Sequence, residues 1–270
     1  MREVRWERMF PDELERAFED CPVVYFAYGL CEPHGPQNAL GLDALKAHAI
    51  ACAAAREHGG IVAPLDCWHV HGLGGYAAWG HKAVGQVKRN WLTCVPPWVH
   101  FRNVCYHVRQ ADALGFHAAI LITGHYGPNW QDLKDLLALL QPHVGTRLYG
   151  LPDFEANQPG FDGDGKSGGD HAGKIETSLL WALLPECVDM SRVPPEGERG
   201  RWGMTAHRHR AIASKQHGPL PFFGPVASGS KQNRAAHGGY RIVDTCSCGA
   251  TREELRNGGH SEIGPWTVTP

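Results

Sequence analysis

No apolar run in this chain approaches the roughly 18 to 20 residues needed to cross a bilayer, so no membrane-spanning helix is expected. Charge of one sign is lacking too: the formal net charge is -2 at pH 7. That balance gives no basis for nucleic acid or an anionic membrane as partner. The N-terminal stretch Met1-Arg2-Glu3-Val4-Arg5-Trp6 has no apolar segment of the signal-peptide kind, and a cytoplasmic location is expected. A disulfide framework is also missing. The nine cysteines are odd in number and scattered, and Cys21, Cys52, Cys94, Cys105 and Cys187 lie in apolar or helical surroundings, which reads as reduced thiols. Cys246-Ser247-Cys248 has no further ligands nearby and carries little weight as a metal site. No internal repeat is present.

What the chain does have is an ordinary globular composition, 43% hydrophobic and 20% charged, with seventeen histidines. One domain over residues 1–270 is expected, with its motifs in about 20–190 and a loop-rich C-terminal part. Helical spacing of Phe10, Leu14, Ala17 and Phe18 predicts a helix over 7–20. Buried strands are predicted at Val23–Tyr28, 61–65 and Ala118–Thr123, with a further strand at 146–149. Helices are predicted over 45–57, 99–114, 130–140 and 179–184, and Gly59-Gly60 marks the end of the first of these. The Ala-rich helix after Asp43 reads as plain core. Residues 152–170 are dominated by Gly, Asp and Pro and form a long loop, of the kind that is often functional. Strands alternating with helices predict an α/β fold around a mostly parallel sheet, in which ligands bind beyond the carboxyl ends of the strands.

Three separated segments put ionisable residues at such positions. Glu32-Pro33-His34-Gly35-Pro36 follows the first strand and is closed by Asp43. His125 follows Ala118–Thr123. Asp170, His171 and Glu176 open the last helix. Carboxylates and imidazoles converging at one sheet edge suit Zn, Mn or Fe, and the lack of cysteine among them argues against a thiolate-rich structural zinc site. Each residue also has a plainer role: Asp170 as an N-cap, Glu176 as a first-turn acid facing the helix dipole. The aromatic and His-rich stretch around Trp68, His71, Trp79, Trp91 and Trp98 could line a substrate pocket, or supply core or subunit contacts.

Taken together, Tyr28-Gly29-Leu30-Cys31-Glu32-Pro33-His34-Gly35-Pro36, Asp43, Ile122-Thr123-Gly124-His125-Tyr126-Gly127-Pro128-Asn129 and His171-Ala172-Gly173-Lys174-Ile175-Glu176-Thr177-Ser178 resemble the creatininase (creatinine amidohydrolase) family. The resemblance covers roughly residues 20–190. It implies a three-layer α/β/α sandwich and a divalent metal centre, Zn first and Mn or Fe next, with one or two ions per chain. Under it Glu32, Asp43 and His125 match the ligands of one metal, and His34 a ligand of the second, with Asp43 bridging. Glu176 matches an active-site glutamate beside the metals, and His171 a histidine near the substrate that moves protons. Tyr126, Trp68 and His71 are the candidate substrate contacts. Two departures stand out. Creatininase has a glutamate where this chain has Gly127, which takes a carboxylate from the second metal position. Gln37-Asn38-Ala39 replaces the usual histidine, leucine and proline.

The implied activity is hydrolysis of a carbon–nitrogen amide-type bond, in a cyclic amide or formamide, with His171 giving the leaving nitrogen its proton. Two alternatives keep the metal: ring opening of a cyclic ketone or sugar derivative, and a metal-binding relative without catalysis. A small-molecule substrate and a homo-oligomer, a hexamer by the resemblance, are the expected partners.

Overall fold

Val23–Tyr28 (β1) and Ala118–Thr123 (β3) are six-residue runs buried along their whole length, as strands covered on both faces must be. They pair in parallel with Tyr25 beside Ile120. Ile61–Val62 (β2) adds to the far side of β1, and Arg147–Pro152 (β4) to the far side of β3. The computed structural model describes residues 2–71, 91–125, 129–153 and 171–193, and among these the sheet has the order β2-β1-β3-β4, all parallel.

Strand alternation then sorts the core into two halves. Val24, Phe26 and Tyr28 pack with Ala17 of α1 (Pro11–Asp20), Val104 and Val108 of α3 (Pro97–Ala113), and Leu133 and Leu137 of α4 (Asn129–Leu140). Val23, Tyr25 and Ala27 face the other way, onto Ala47, Ile50, Ala51 and Ala55 of α2 (Leu42–His58). Leu183 of α5 (Lys174–Leu183) packs at the edge of that second half. The expected α/β/α layering is present.

Element boundaries shift for local reasons. The first helix begins only at Pro11, after a separate 3-10 turn at Trp6–Arg8, because Pro at the first helical position is preorganised for a start. β2 stops at Val62 rather than 65, since Pro64 has no N–H for the ladder. α2 starts at Leu42, which places Asp43 inside its first turn, and α5 starts at Lys174, which does the same for Glu176. β4 runs on to Pro152 and delivers the next residue, Asp153, to the sheet's carboxyl edge. No helix of the described residues is long and apolar enough to cross a membrane.

Candidate metal centre

Two glycines let the strand exits close on α2. A Cβ at Gly29 would overlap the backbone nitrogen of Ala44, and one at Gly124 would overlap the carbonyl oxygen of Asp43. The loops after β1 and β3 therefore lie directly against the turn that carries Asp43. The loop after β1 is tied by Glu32 N donating to the Leu40 carbonyl at 2.9 Å, and it bends at Gly35, whose φ of 75° suits only glycine without strain.

Gln37 and Asn38, the departures in this loop, fasten it to the segment before and within α5. Asn38 Nδ2 donates to the His34 carbonyl at 2.8 Å and to Thr177 Oγ1 at 2.9 Å. Gln37 Nε2 donates to the Ala172 carbonyl at 3.4 Å. Ala172 N in turn donates to Glu176 Oε2 at 2.8 Å. The first and third sequence segments are thus one structural unit.

Seven candidate residues meet there. His34 Nε2 lies 3.3 Å from Asp43 Oδ1, 3.5 Å from Glu32 Oε1 and 3.7 Å from Glu176 Oε2. His125 Nδ1 lies 3.1 Å from Asp43 Oδ2 and 3.3 Å from Glu32 Oε1. His71 Nε2 is 3.1 Å from Glu32 Oε2, and His171 Nδ1 is 3.7 Å from Glu32 Oε1. Three trios have ligand atoms close enough to share an ion: Glu32, His71 and His125; His34, Asp43 and Glu176; Glu32, His34 and His171. Asp43 presents one oxygen to His125 and the other to His34, so it stands between the first two trios.

The donors suit a hard or borderline divalent cation. His34 Nδ1 donates to the Glu32 carbonyl at 3.0 Å, which leaves Nε2 as the ligating atom. His34 Nε2 and Asp43 Oδ1 are buried and make no hydrogen bond, which leaves this side of the cluster to a cation. Charge points the same way. Burial would lower His34 and His125, but the carboxylates of Asp43 and Glu32 outweigh it and raise them to about 9 and about 10. Burial likewise opposes ionisation of Glu32 and Asp43, yet hydrogen bonds from His125 and His71 hold Glu32 low, and the charge of His34 with the bond from His125 does so for Asp43. The cluster draws in positive charge, of the kind a divalent metal would supply.

Other predicted residues fall elsewhere. Trp68 is exposed and lines a cleft of about 500 Å³ with Trp6, Phe26, Tyr28, Asp66 and His107, a lining that includes none of the seven cluster residues. Trp91 and Trp98 are more than half exposed, so they are not core residues. Tyr126, Gly127, Asp170, Trp79, Cys246 and Cys248 lie outside the described residues. Lys46 and Asp153 were not legible as site residues, and the reading of α2 as plain core fails at Lys46, which is buried against Asp43, Asp153 and Glu176. The signal was a lysine three residues after Asp43 in an otherwise apolar helix.

A parallel α/β sheet gathering carboxylates and imidazoles at the carboxyl ends of its strands has the build of a metal-dependent hydrolase. Residues 95–251 match the family model Creatininase, described as creatinine amidohydrolase. The chain belongs to the creatininase family, which supports a metal-dependent amidohydrolase. No curated protein matches the chain. Among solved structures, a creatininase in a manganese form is similar at 19% identity and TM-score 0.53, covering 78% of this chain and 93% of its own. A mutant creatininase of zinc–zinc type is similar at 18% identity and TM-score 0.53 with the same coverage, 78% and 93%. A protein from Bacteroides fragilis NCTC 9343, provisionally described as a creatinine amidohydrolase, is similar at 17% identity and TM-score 0.54, covering 86% of this chain and 99% of its own. At these identities the likeness to solved structures is one of fold.

Proposed function

We propose that the chain hydrolyses a carbon–nitrogen amide-type bond, in a cyclic amide or formamide, with a divalent metal held by Glu32, Asp43 and His125 and assisted by His71. The observation that supports this reading is the convergence of Glu32, His71 and His125 as a metal-sized trio, with Asp43 Oδ2 3.1 Å from His125, in a chain of the creatininase family. The manganese and zinc–zinc forms among the neighbours support Mn or Zn as the metal. Bound there, the metal supplies Lewis acidity, lowering the pKa of water from about 15.7 toward 7 and polarising the substrate carbonyl.

The protein's own part is proton handling and positioning. His171 Nε2 lies 2.9 Å from the Pro33 carbonyl oxygen. A carbonyl only accepts, so Nε2 carries the hydrogen and Nδ1 turns its lone pair toward Glu32. Burial, reinforced by the charge of His34, lowers the His171 pKa. In this state His171 acts first as a base. It takes a proton from the attacking water at Nδ1 and then returns that proton to the leaving nitrogen, so the donor role expected from the sequence comes second. Glu176 fixes the turn that carries His171, through the hydrogen bond from Ala172 N.

The experiment is release of ammonia, an amine or formate from a panel of cyclic amides and formamides by the metal-loaded protein, beside chelated protein and a His171→Asn variant. Metal-dependent release that His171→Asn abolishes supports the reading. No release from the panel, or release unchanged in both controls, overturns it. Creatinine itself is expected to be a poor substrate, since Gly127 supplies no side-chain oxygen.

A further inference from the structure

We propose that Lys46 is the resident cation on the His34–Asp43–Glu176 side of the cluster, and that the chain therefore holds one divalent metal, on the Glu32–His71–His125 side. This inference rests on the metal-dependent reading above. Lys46 lies three residues after Asp43 on α2, hence on the same helix face. Its exposure is 0%, among the largest side chains with no surface at all. A lysine is almost never buried so completely unless it is paired.

Two of its partners are the centre's own carboxylates. Lys46 Nζ lies 3.6 Å from Asp43 Oδ1, 3.5 Å from Glu176 Oε1 and 3.5 Å from Asp153 Oδ2. Asp43 and Glu176 together with His34 form one of the metal-sized trios. Asp43 Oδ1 is the oxygen nearest His34 Nε2, so the ammonium and an ion on this trio would draw on the same atom. An ion bonded to that oxygen at about 2.1 Å would lie within about 5.7 Å of the ammonium. Two like charges that close, in a site shielded from water, oppose one another strongly. Asp153 fits the same account. It belongs to none of the three trios, is fully buried, and meets the cluster through Lys46. The Glu32–His71–His125 side keeps Asp43 Oδ2, the oxygen turned away from His34, beside His125 at 3.1 Å.

The test is metal stoichiometry in full-length protein saturated with Mn(II), by elemental analysis and by the electron paramagnetic resonance spectrum. One Mn per chain with an isolated-ion spectrum is expected for the wild type, and two per chain with a spin-coupled spectrum for Lys46→Met. Lys46→Met takes the ammonium from buried Asp153, so a second variant, Lys46→Met with Asp153→Leu, removes both charges; replacing a buried pair by apolar residues usually preserves folding. It too should bind two. Two ions in the wild type overturn the role of Lys46 while leaving the metal-dependent reading intact. One ion in every folded neutral variant overturns it as well. No bound metal in the wild type overturns the metal-dependent reading itself.

Discussion

The Cα of Gly124 rests on the carbonyl oxygen of Asp43, with no room for a methyl group between strand exit and helix turn. This contact joins the two chain segments that supply His125 and Asp43, so it sets their separation. Gly124→Ala must push α2 away from β3. A loss of about 1–3 kcal/mol in urea unfolding is expected, the usual cost of overpacking, together with loss of metal on gel filtration. Gly145→Ala is the control. Its Cβ would make an ordinary 3.6 Å contact with Asp112, and its effect should stay within about 0.5 kcal/mol.

Asn38 is the next joint. Its amide bridges the His34 carbonyl and Thr177, tying the ligand loop to α5. Asn38→Ala leaves a buried carbonyl without that donor, for an expected cost of about 1–3 kcal/mol. Because Glu32 sits on the loop that Asn38 ties down, metal affinity measured by chelator competition should also fall, by about 10- to 100-fold if outer-layer hydrogen bonds behave as they do elsewhere.

These joints show what was readable beforehand and what was not. Val23–Tyr28 and Ala118–Thr123 were legible to the residue, because continuous apolar runs bounded by Pro22 and Gly124 admit little else. Glu32, His34, Asp43, His125, His171 and Glu176 could be named because each follows a strand or opens a helix, and the structure brings all six together. Lys46 could not. Helix propensity treats lysine as a surface residue, and only the fold reveals the three carboxylates around it. Asp153 was hidden in a stretch read as loop, since β4 ends in glycine- and proline-containing sequence. Trp68 shows why aromatic density near a motif is hard to read: the ring lines a cleft whose lining holds none of the cluster residues.

Part of the acid sensitivity should come from a pair of histidines beside the centre. The His69 and His100 rings pack at a tilt of 45° with centroids 4.0 Å apart. Burial lowers both, with each ring's neighbours adding to it, His100 to about 4 and His69 well below its ordinary value. Below pH 6.5 the unfolded chain therefore binds protons that the folded chain does not, and stability falls as pH drops from 6.5 toward 4. His34 and His125 oppose this near pH 6.5, where the unfolded imidazoles are still partly neutral, and add no slope nearer pH 5, where raised values leave them protonated in both states. For metal-free protein the expected slope is at most about 1.4 kcal/mol per pH unit for each neutral histidine. Urea unfolding at pH 6.5 and 5 checks this, and His100→Gln should remove its share.

His71 separates two accounts of the aromatic stretch. As a substrate contact, which its sequence position suggests, it would affect KM and leave metal content alone. Its Nε2 lies 3.1 Å from Glu32 Oε2, and it completes a metal-sized trio with Glu32 and His125. A ligand is expected from this placement, because an imidazole that close to a ligating carboxylate either binds the same ion or orients the carboxylate that does. Adding metal to chelated wild-type protein should raise stability by about 4 kcal/mol at a thousandfold excess over Kd, since only the folded chain offers the assembled site. His71→Ala should shrink that gain at equal metal concentration, each protein measured against its own chelated form. A metal-induced shift identical to the wild type's would return His71 to the substrate side of the pocket.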